Sequence, residues 1–514
     1  MESTASTAEL RVKLPVVCTI TPPSPFLEDE RVFVSLGILR VAAVLRKNGY
    51  GVEQVDLSGI GNYLEAIRDH ALVSEATYFG ITATTPQLPF AVEIAKEIKR
   101  VRPKAKIILG GPHITLVSAA IKDQKRRGIP GRAMKEMEAL RQEFDILVAG
   151  DGEKAILVAL KGNASFIDAD DPKSPLFLTS SELDGLPLPA RDLVELDSYH
   201  YLIDGIRATS LIAQLGCPFP CRFCGGRDSY MLRRVRTRSA DSIIFELKHL
   251  YVTYGITAFM FYDDELNVNR EMVGLMRRIR ALQDELGVEF RLRGFIKAEL
   301  FTDEQAEAMY AAGFRWILVG FESGSPRILK NIQKKATRED NTRCMQIAHA
   351  HSLKVKALIS FGHPGETPHT LRETENWLLD SDVRPDDFDI AIITCYPGAP
   401  YYDQAILDPL RKVWVYTCAE NGDRLYQLDV NFTQESAFYK GRILGGYNSF
   451  VYTDGLSPGD LVAERDRVER NVRCMLGIPF SNSAAAQNYE HSMGMGLPPS
   501  ILRREAARVV ESVI

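Results

Sequence analysis

Three cysteines stand close together in Gly216-Cys217-Pro218-Phe219-Pro220-Cys221-Arg222-Phe223-Cys224. A C-x3-C-x2-C spacing in a Gly/Pro-rich loop lets three thiolates wrap one face of a metal cluster. Iron–sulfur clusters are ordinarily held by four cysteines, and no fourth stands nearby: Cys18, Cys344, Cys395, Cys418 and Cys474 are scattered. Three ligands would leave one iron open to a small molecule, by the logic that leaves an open position in catalytic zinc sites. A zinc site with a distant fourth ligand, or plain buried thiols, would use the same residues. Eight cysteines in 514 residues are too sparse for a disulfide scaffold. In a cytosolic chain a tight cluster points to metal binding.

The elements around this loop alternate. Strand-like runs at Thr209–Gln214, Ala258–Tyr262, Phe290–Phe295, Trp316–Phe321, Val355–Phe361 and Asp389–Thr394 are separated by helical patterns at Asp241–Val252, Arg270–Leu286, Asp303–Ala312, Arg338–His351 and Thr370–Leu379. This predicts parallel β/α units, fewer than a complete eight-unit barrel. The strand ends carry polar groups: Asp263-Asp264-Glu265, Glu322-Ser323-Gly324, and Gly362-His363-Pro364-Gly365-Glu366-Thr367. Barrel chemistry is assembled at that rim. Asp263, Asp264, Glu322 and Ser323 could equally cap the helices that follow. Gly362 would allow close approach of a ligand. Arg293 and Lys297 close the third strand and could face the cavity or the surface. His363 reads as a loop-packing residue and Cys395 as a buried thiol. Arg222, Arg227, Arg233, Arg234, Arg236 and Arg238 could grip phosphates or pair with acidic neighbours.

Ahead of this array a second alternation runs over residues 14–160, with strands at Pro15–Ile20, Val52–Asp56, Tyr78–Thr82, Lys106–Leu109 and Phe144–Ala149 and helices at Leu36–Lys47 and Phe90–Val101. The strands end in turn residues: Thr21-Pro22-Pro23, Thr84-Thr85-Pro86, Gly110-Gly111-Pro112 and Gly150-Asp151-Gly152. Ligands bind such sheets outside the carboxyl ends of the strands. Ile121–Arg141 reads as a charged surface insertion. The fold class is therefore α/β: an N-terminal doubly wound (Rossmann-like) parallel sheet, then a partial (β/α)6 barrel, then a small mixed C-terminal region. The boundaries expected are a disordered tail 1–13, a first domain 14–160, a linker 161–206, the barrel 207–400, and a region 401–514 that closes it. Within that last region Tyr416–Val430 and Gly446–Thr453 read as strands and Asp460–Leu476 as a helix. Trp414, Tyr416, Asp429 and Tyr447 are expected to shape the pocket.

Composition sets the outer bounds. Hydrophobic residues at 45% and charged residues at 25% fit an ordinary folded protein. A formal charge of −5 argues against a generally basic nucleic-acid binder. Apolar runs such as Val41–Leu45 are too short to span a bilayer, and the N-terminus lacks the apolar stretch of a secretory signal. A cytoplasmic protein acting on a small molecule, with no membrane or nucleic-acid partner, is the expectation.

Over Arg207–Pro400 the chain resembles the radical S-adenosylmethionine superfamily, through the cysteine spacing and the rim motifs just quoted. That resemblance implies that Cys217, Cys221 and Cys224 hold a [4Fe-4S] cluster. S-adenosylmethionine would chelate its unique iron, and reduction by an external donor such as flavodoxin or ferredoxin would give a 5′-deoxyadenosyl radical. Asp263, Asp264, Glu322, Ser323 and Gly362 become candidate contacts to S-adenosylmethionine. The family often has Gly-Gly-Glu where this chain has Asp263-Asp264-Glu265. Leu14–Leu160 resembles the cobalamin-binding domain found ahead of many such barrels, which makes Thr21, Thr84, Gly110, Gly111 and Gly150 candidate contacts to cobalamin. The Asp-x-His-x-x-Gly motif of cobalamin mutases is absent after the first strand; Tyr489-Glu490-His491-Ser492-Met493-Gly494 lacks the Asp. His113 reads as a loop histidine. The resemblance implies methyl transfer to an unactivated carbon. Its rivals are transfer of the 3-amino-3-carboxypropyl fragment, cyclisation or ring rearrangement, with a cofactor-free first domain.

Overall fold

The computed structural model describes residues 14–27, 30–129, 131–380, 382–439 and 447–478. The expected tail 1–13 and the Tyr489–Gly494 segment lie outside them. The first sheet has six parallel strands: β1 (Val16–Thr21), β2 (Gly51–Asp56), β3 (Tyr78–Thr82), β4 (Lys106–Gly110), β5 (Ile146–Gly150) and β6 (Phe166–Ala169), in the order β2-β1-β3-β4-β5-β6. The central strands are apolar on both faces because helices cover both. One core packs Phe79, Ile107 and Leu147 beneath the helices Leu88–Val101, Pro112–Arg127 and Ala133–Glu143; the other packs Val17, Ile108 and Val148 against Leu36–Lys47 and Gly152–Ala159. The strand order reverses between β1 and β3, and the space above that point is where a doubly wound sheet takes its ligand.

Two readings change here. The segment taken as an irregular linker supplies β6, paired with β5 from Leu147↔Phe166 to Gly150↔Ala169; a four-residue strand followed by Asp and Pro leaves little periodicity to see. Ile121–Arg141 is no surface insertion. Pro112–Arg127 and Ala133–Glu143 are helices whose residues Ile114, Val117, Ala120, Met137 and Leu140 are buried; most of their charges lie on the outer face, while Asp123 is buried and paired with Arg126 and Arg127.

The second sheet is an open, curled array. β7 (Leu202–Ile203) forms a hairpin with β8 (Ile206–Leu211), and a short antiparallel pair, β9 (Gln214–Leu215) and β10 (Arg236–Thr237), brackets the cysteine loop. β11 (Ala258–Phe261), β12 (Arg291–Ile296), β13 (Phe314–Glu322), β14 (Lys354–Phe361) and β15 (Asp387–Ile392) then follow β8 in parallel, in chain order. Six parallel strands make a partial barrel. An antiparallel sheet of β16 (Ile406–Asp408), β17 (Val413–Thr417), β18 (Arg424–Gln427) and β19 (Val451–Thr453) and the helix Pro458–Leu476 complete the described chain. That helix lies on Pro368–Leu379 and β15, and Phe432 and Phe438 join the core of the first domain.

Buried ion pairs fix the seam between the two sheets. Arg236 donates to Asp151 at 2.6 Å, both almost fully buried, and also to the Leu178 carbonyl. Arg191 and Arg238 both pair with Glu246, and Arg238 donates to the Ile212 carbonyl. Nearer the surface, Arg222 pairs with the exposed Glu420, in the turn between β17 and β18, and donates to the Tyr416 hydroxyl of β17. The arginines read as possible phosphate ligands are thus largely spent on holding the cysteine loop in place.

Candidate functional site

The loop carrying Cys217, Cys221 and Cys224 leaves β8 at the carboxyl edge of the barrel. Gly216 opens it at φ +89°, where a side chain would collide with the Arg234 carbonyl. Cys217 N–H donates to the Leu232 carbonyl, Arg222 N–H to the Ile332 carbonyl, and Cys224 N–H toward the Cys221 carbonyl. Burial pushes the Cys217 thiol up to about 12, and the neighbouring Cys221 adds to it; burial raises Cys221 and Cys224 as well. Three close thiols that disfavour one another's ionisation suit a group that brings positive charge of its own.

The carboxylates at the rim divide by task. Asp263 Oδ1 accepts the backbone N–H groups of Ala213 (3.0 Å) and Gln214, and Asp264 Oδ2 accepts that of Gly216 at 2.6 Å. Both therefore anchor the strand-to-loop turn that carries the cysteines. Burial lifts Asp263 to about 8, against the pull of those N–H groups, so near neutrality it carries a proton. Glu265 points the other way, toward Lys334 and Lys297; burial lifts it to about 7 although both cations oppose this.

Glu322 ends β13 with φ +67°, a strained conformation for a residue with a side chain. Its carboxylate receives Lys334 Nζ at 2.9 Å on Oε1 and the Ser360 hydroxyl at 2.7 Å on Oε2. Burial works against the charge, but Lys334 and Ser360 hold Glu322 below the usual carboxylate range, and Lys334 is raised in turn. Gly320 leaves room for the pair: a Cβ there would meet Glu322 Oε1 at 2.6 Å and Lys334 Nζ at 2.8 Å. The Ser360 hydroxyl also meets His363 Nε2 at 2.8 Å, and Tyr401 Oη lies 3.4 Å from His363 Nδ1. Burial lowers His363 to about 4, so the ring is neutral. Gly362 turns at φ +93°, its N–H and that of His363 held by Glu366 Oε2. Ser323 faces inward to Thr374. Lys297 is buried, paired with Glu299 and over the Phe219 ring, while the Arg293 guanidinium lies over Trp316.

Lys334, Ser360 and Tyr401 escaped the sequence reading. Lys334 follows a one-and-a-half-turn helix in an unremarkable Gln333-Lys334-Lys335 run. The only available signal was indirect: a carboxylate at the end of a buried strand needs a counter-charge.

At the first sheet, two adjoining cavities open above the switch point. One, of about 240 Å³, is lined by Gly37, Val41, Thr82, Gly110, Gly111 and Gly150 among others. The larger, of about 560 Å³, is lined from below by Thr21, Thr82, Thr84, Gln87 and Pro112 and from the barrel side by Ser210, Ile212 and Tyr262, with Tyr396 and Tyr439. A Cβ at Gly37 or Gly110 would meet nothing within 4 Å, so these glycines open the cradle. Gly111 and Gly150 shape it: at φ +96° and +89° their missing side chains would run into Thr82 and Ala83, or Ala169 and Asp170. A large, mostly apolar cavity of this kind suits a macrocycle and its tail. His113 does not line it. It is buried beside Thr85 (3.1 Å) and Phe432, and burial lowers it to about 3. Burial raises Cys395 to about 12, against the pull of the neighbouring Arg132. Trp414 donates to Asp429 (3.1 Å) and Tyr447 lies under Arg465; neither Trp414 nor Tyr447 lines the larger cavity. The cavity instead takes Tyr439 from this region.

Comparison with known proteins places these observations. Residues 211–378 match the model of the Radical SAM superfamily, and residues 30–145 that of the B12 binding domain. An uncharacterized methyltransferase of Pyrococcus horikoshii is 29% identical over 339 residues, 64% of this chain and 70% of that protein. The structure is similar to TsrM of Kitasatospora setae, a radical S-adenosylmethionine methyltransferase solved with tryptophan and an S-adenosylmethionine analogue, with TM-score 0.66 and 18% identity over 97% of this chain and 99% of the other. It is also similar to the cobalamin-dependent enzyme OxsB with aqua-cobalamin bound, with TM-score 0.57 and 18% identity over 76% and 55% of the two chains. At these identities the structural likenesses establish the fold.

Proposed function

We propose that this chain, which belongs to the radical SAM superfamily and carries a B12-binding domain, is a cobalamin-dependent methyltransferase that places a methyl group on an unactivated carbon of a small molecule. The observation that carries this reading is one cavity lined from the first sheet by Thr21, Thr82 and Thr84 and from the barrel by Ser210, Ile212 and Tyr262 at the carboxyl ends of β8 and β11, the two strands that lead into the cysteine loop and the Asp263–Glu265 turn. When bound, the [4Fe-4S] cluster with S-adenosylmethionine supplies radical chemistry, and cobalamin supplies a transferable methyl group.

The chain's own residues bind and orient. Cys217, Cys221 and Cys224 would hold the cluster through three of its irons, leaving one iron open for S-adenosylmethionine. Asp263 and Asp264 act through the backbone of 213–216, fixing where those thiols stand. Glu322, held by Lys334 and Ser360, sets a negative charge at the rim for the cationic end of S-adenosylmethionine, and Gly362 lets backbone approach its adenine. Thr21, Thr84, Gly110, Gly111 and Gly150 form the cobalamin cradle, and Tyr262, Tyr396 and Tyr439 wall the space between. The pairing of Arg222, Arg236 and Arg238 with carboxylates favours a small acceptor over nucleic acid. The methyltransferase name of the archaeal relative and the tryptophan in the Kitasatospora structure support the same class. Among the described residues no helix is long and apolar enough to cross a membrane. We place the protein in the cytoplasm, with a flavodoxin- or ferredoxin-type electron donor.

The test is anaerobic turnover with S-adenosylmethionine labelled in its methyl group. Labelled methyl in the product, formed only when cobalamin is present, supports the reading. Methylthioadenosine in place of 5′-deoxyadenosine, formed without cobalamin, would instead mean fragment transfer and overturn it.

A further inference from the structure

A second set of metal-type donors lies on the other face of the first sheet, away from the smaller cavity and unused by the reaction above. Cys18 on β1 and Glu53 on β2 are register partners, so both side chains leave the same face. His70 reaches them from the helix Tyr63–Val73. Cys18 belongs to the core beneath that helix, whereas Val41, Ile108, Val148 and Ile156, which line the smaller cavity, pack on the opposite face.

Cys18 Sγ lies 3.7 Å from His70 Nε2, and Glu53 Oε2 lies 2.8 Å from the same nitrogen. All three donor atoms fall within 4.8 Å of one another. Cys18 is buried; Glu53 and His70 are half-buried. The shared nitrogen decides between two readings. A nucleophile relay places the thiol on one ring nitrogen and the carboxylate on the other. Here both converge on Nε2, which leaves a point between sulfur, nitrogen and oxygen. Tetrahedral zinc, with Zn–S of about 2.3 Å and Zn–N of about 2.0 Å, sets its sulfur and nitrogen roughly 3.5 Å apart. The Ser74 hydroxyl holds the carboxylate by donating to the same Glu53 Oε2 at 2.6 Å, and the Thr19 hydroxyl fixes the Glu53 backbone by donating to its carbonyl at 3.1 Å. Outer partners of this kind are what hold metal ligands in place.

We propose that Cys18, Glu53 and His70 bind one divalent cation of the zinc class, with water in the fourth position on the half-buried side. The thiol binds as thiolate and its proton leaves to solvent. The cation ties the edge strand β2 and the helix Tyr63–Val73 to β1.

The test uses the full chain with its iron–sulfur cluster assembled. It is equilibrated with zinc chloride, freed of excess, and counted for zinc and iron, and the zinc X-ray absorption edge is read for ligand type. One zinc with a single sulfur neighbour is expected. Cys18→Ser and His70→Ala should each lose the zinc while iron stays unchanged. His70 is half-buried, so His70→Ala remains informative should the core substitution misfold. No retained zinc, zinc with three sulfur neighbours, or zinc unchanged in His70→Ala would overturn the proposal. Each of these outcomes is independent of the methyl-transfer reading.

Discussion

The two carboxyl edges that share the cavity are built on opposite principles. The barrel edge is made of titratable groups: Glu322 and Lys334 form a buried ion pair, while burial pushes Glu265 and Asp263 toward their protonated forms. The first sheet's edge is made of absence: glycines whose missing side chains leave a cradle, with threonines and apolar side chains around it. A small charged cofactor and an open iron need fixed counter-charges, because an isolated charge is costly to bury. A large macrocycle needs room and shape, which glycine provides by having no Cβ. The difference teaches where each site should be fragile: the first to loss of a charge, the second to gain of a methyl group.

The sharpest way to break this contrast is Lys334→Met. It strands Glu322 without its counter-ion and should cost about 3–5 kcal/mol in denaturant unfolding. Adding Glu322→Gln should restore most of that, because the penalty belongs to the unpaired charge. Unchanged stability in the single variant would mean that the barrel edge is not organised by charge. On the other domain, His113 is buried and neutral. Its folded value of about 3 lies below the ordinary 6.5, so its contribution is complete above pH 6.5 and is lost as pH falls toward 3. Acidification from pH 7 to 4.5 should remove about 2–3 kcal/mol through this residue, and His113→Gln should flatten that part of the stability–pH curve. Two alanine substitutions sharpen the account of the cradle. Gly150→Ala meets the backbone of Ala169 and Asp170 at φ +89° and should cost about 1–3 kcal/mol. Gly110→Ala meets nothing within 4 Å and should change stability by less than about 0.5 kcal/mol. The smallest effect is expected at Arg222→Met. Its partner Glu420 is exposed at the surface, so the loss should stay within about 1 kcal/mol by thermal unfolding.

This contrast also explains what could be read from the chain. The cysteine triplet was legible because ligand chemistry fixes both residue type and spacing within one loop. The parallel strands were legible because burial on both faces leaves apolar runs such as Ile146–Ala149. β6 was missed because four residues followed by a turn carry no period. Ile121–Arg141 was misjudged because its charges are as visible in the sequence as the buried faces of the two helices it spans. Lys334 and Ser360 meet Glu322 from 12 and 38 positions away, and nothing local announces such a pairing. Asp263 and Asp264 were noticed for their charge, but the structure turns them to the backbone of the preceding strand end, a role that residue type alone cannot distinguish from ligand binding.

The central claim is that two independent cofactor sites face one cavity. The direct measurement counts iron and corrin in the same anaerobically reconstituted samples of the full chain, a Cys217→Ala/Cys221→Ala/Cys224→Ala variant and a Gly110→Leu variant. The account predicts one cluster and one corrin in the full chain, corrin alone in the cysteine variant, and cluster alone in Gly110→Leu, whose side chain fills the cradle. Corrin absent from the unsubstituted chain, or retained in full by Gly110→Leu, would contradict it.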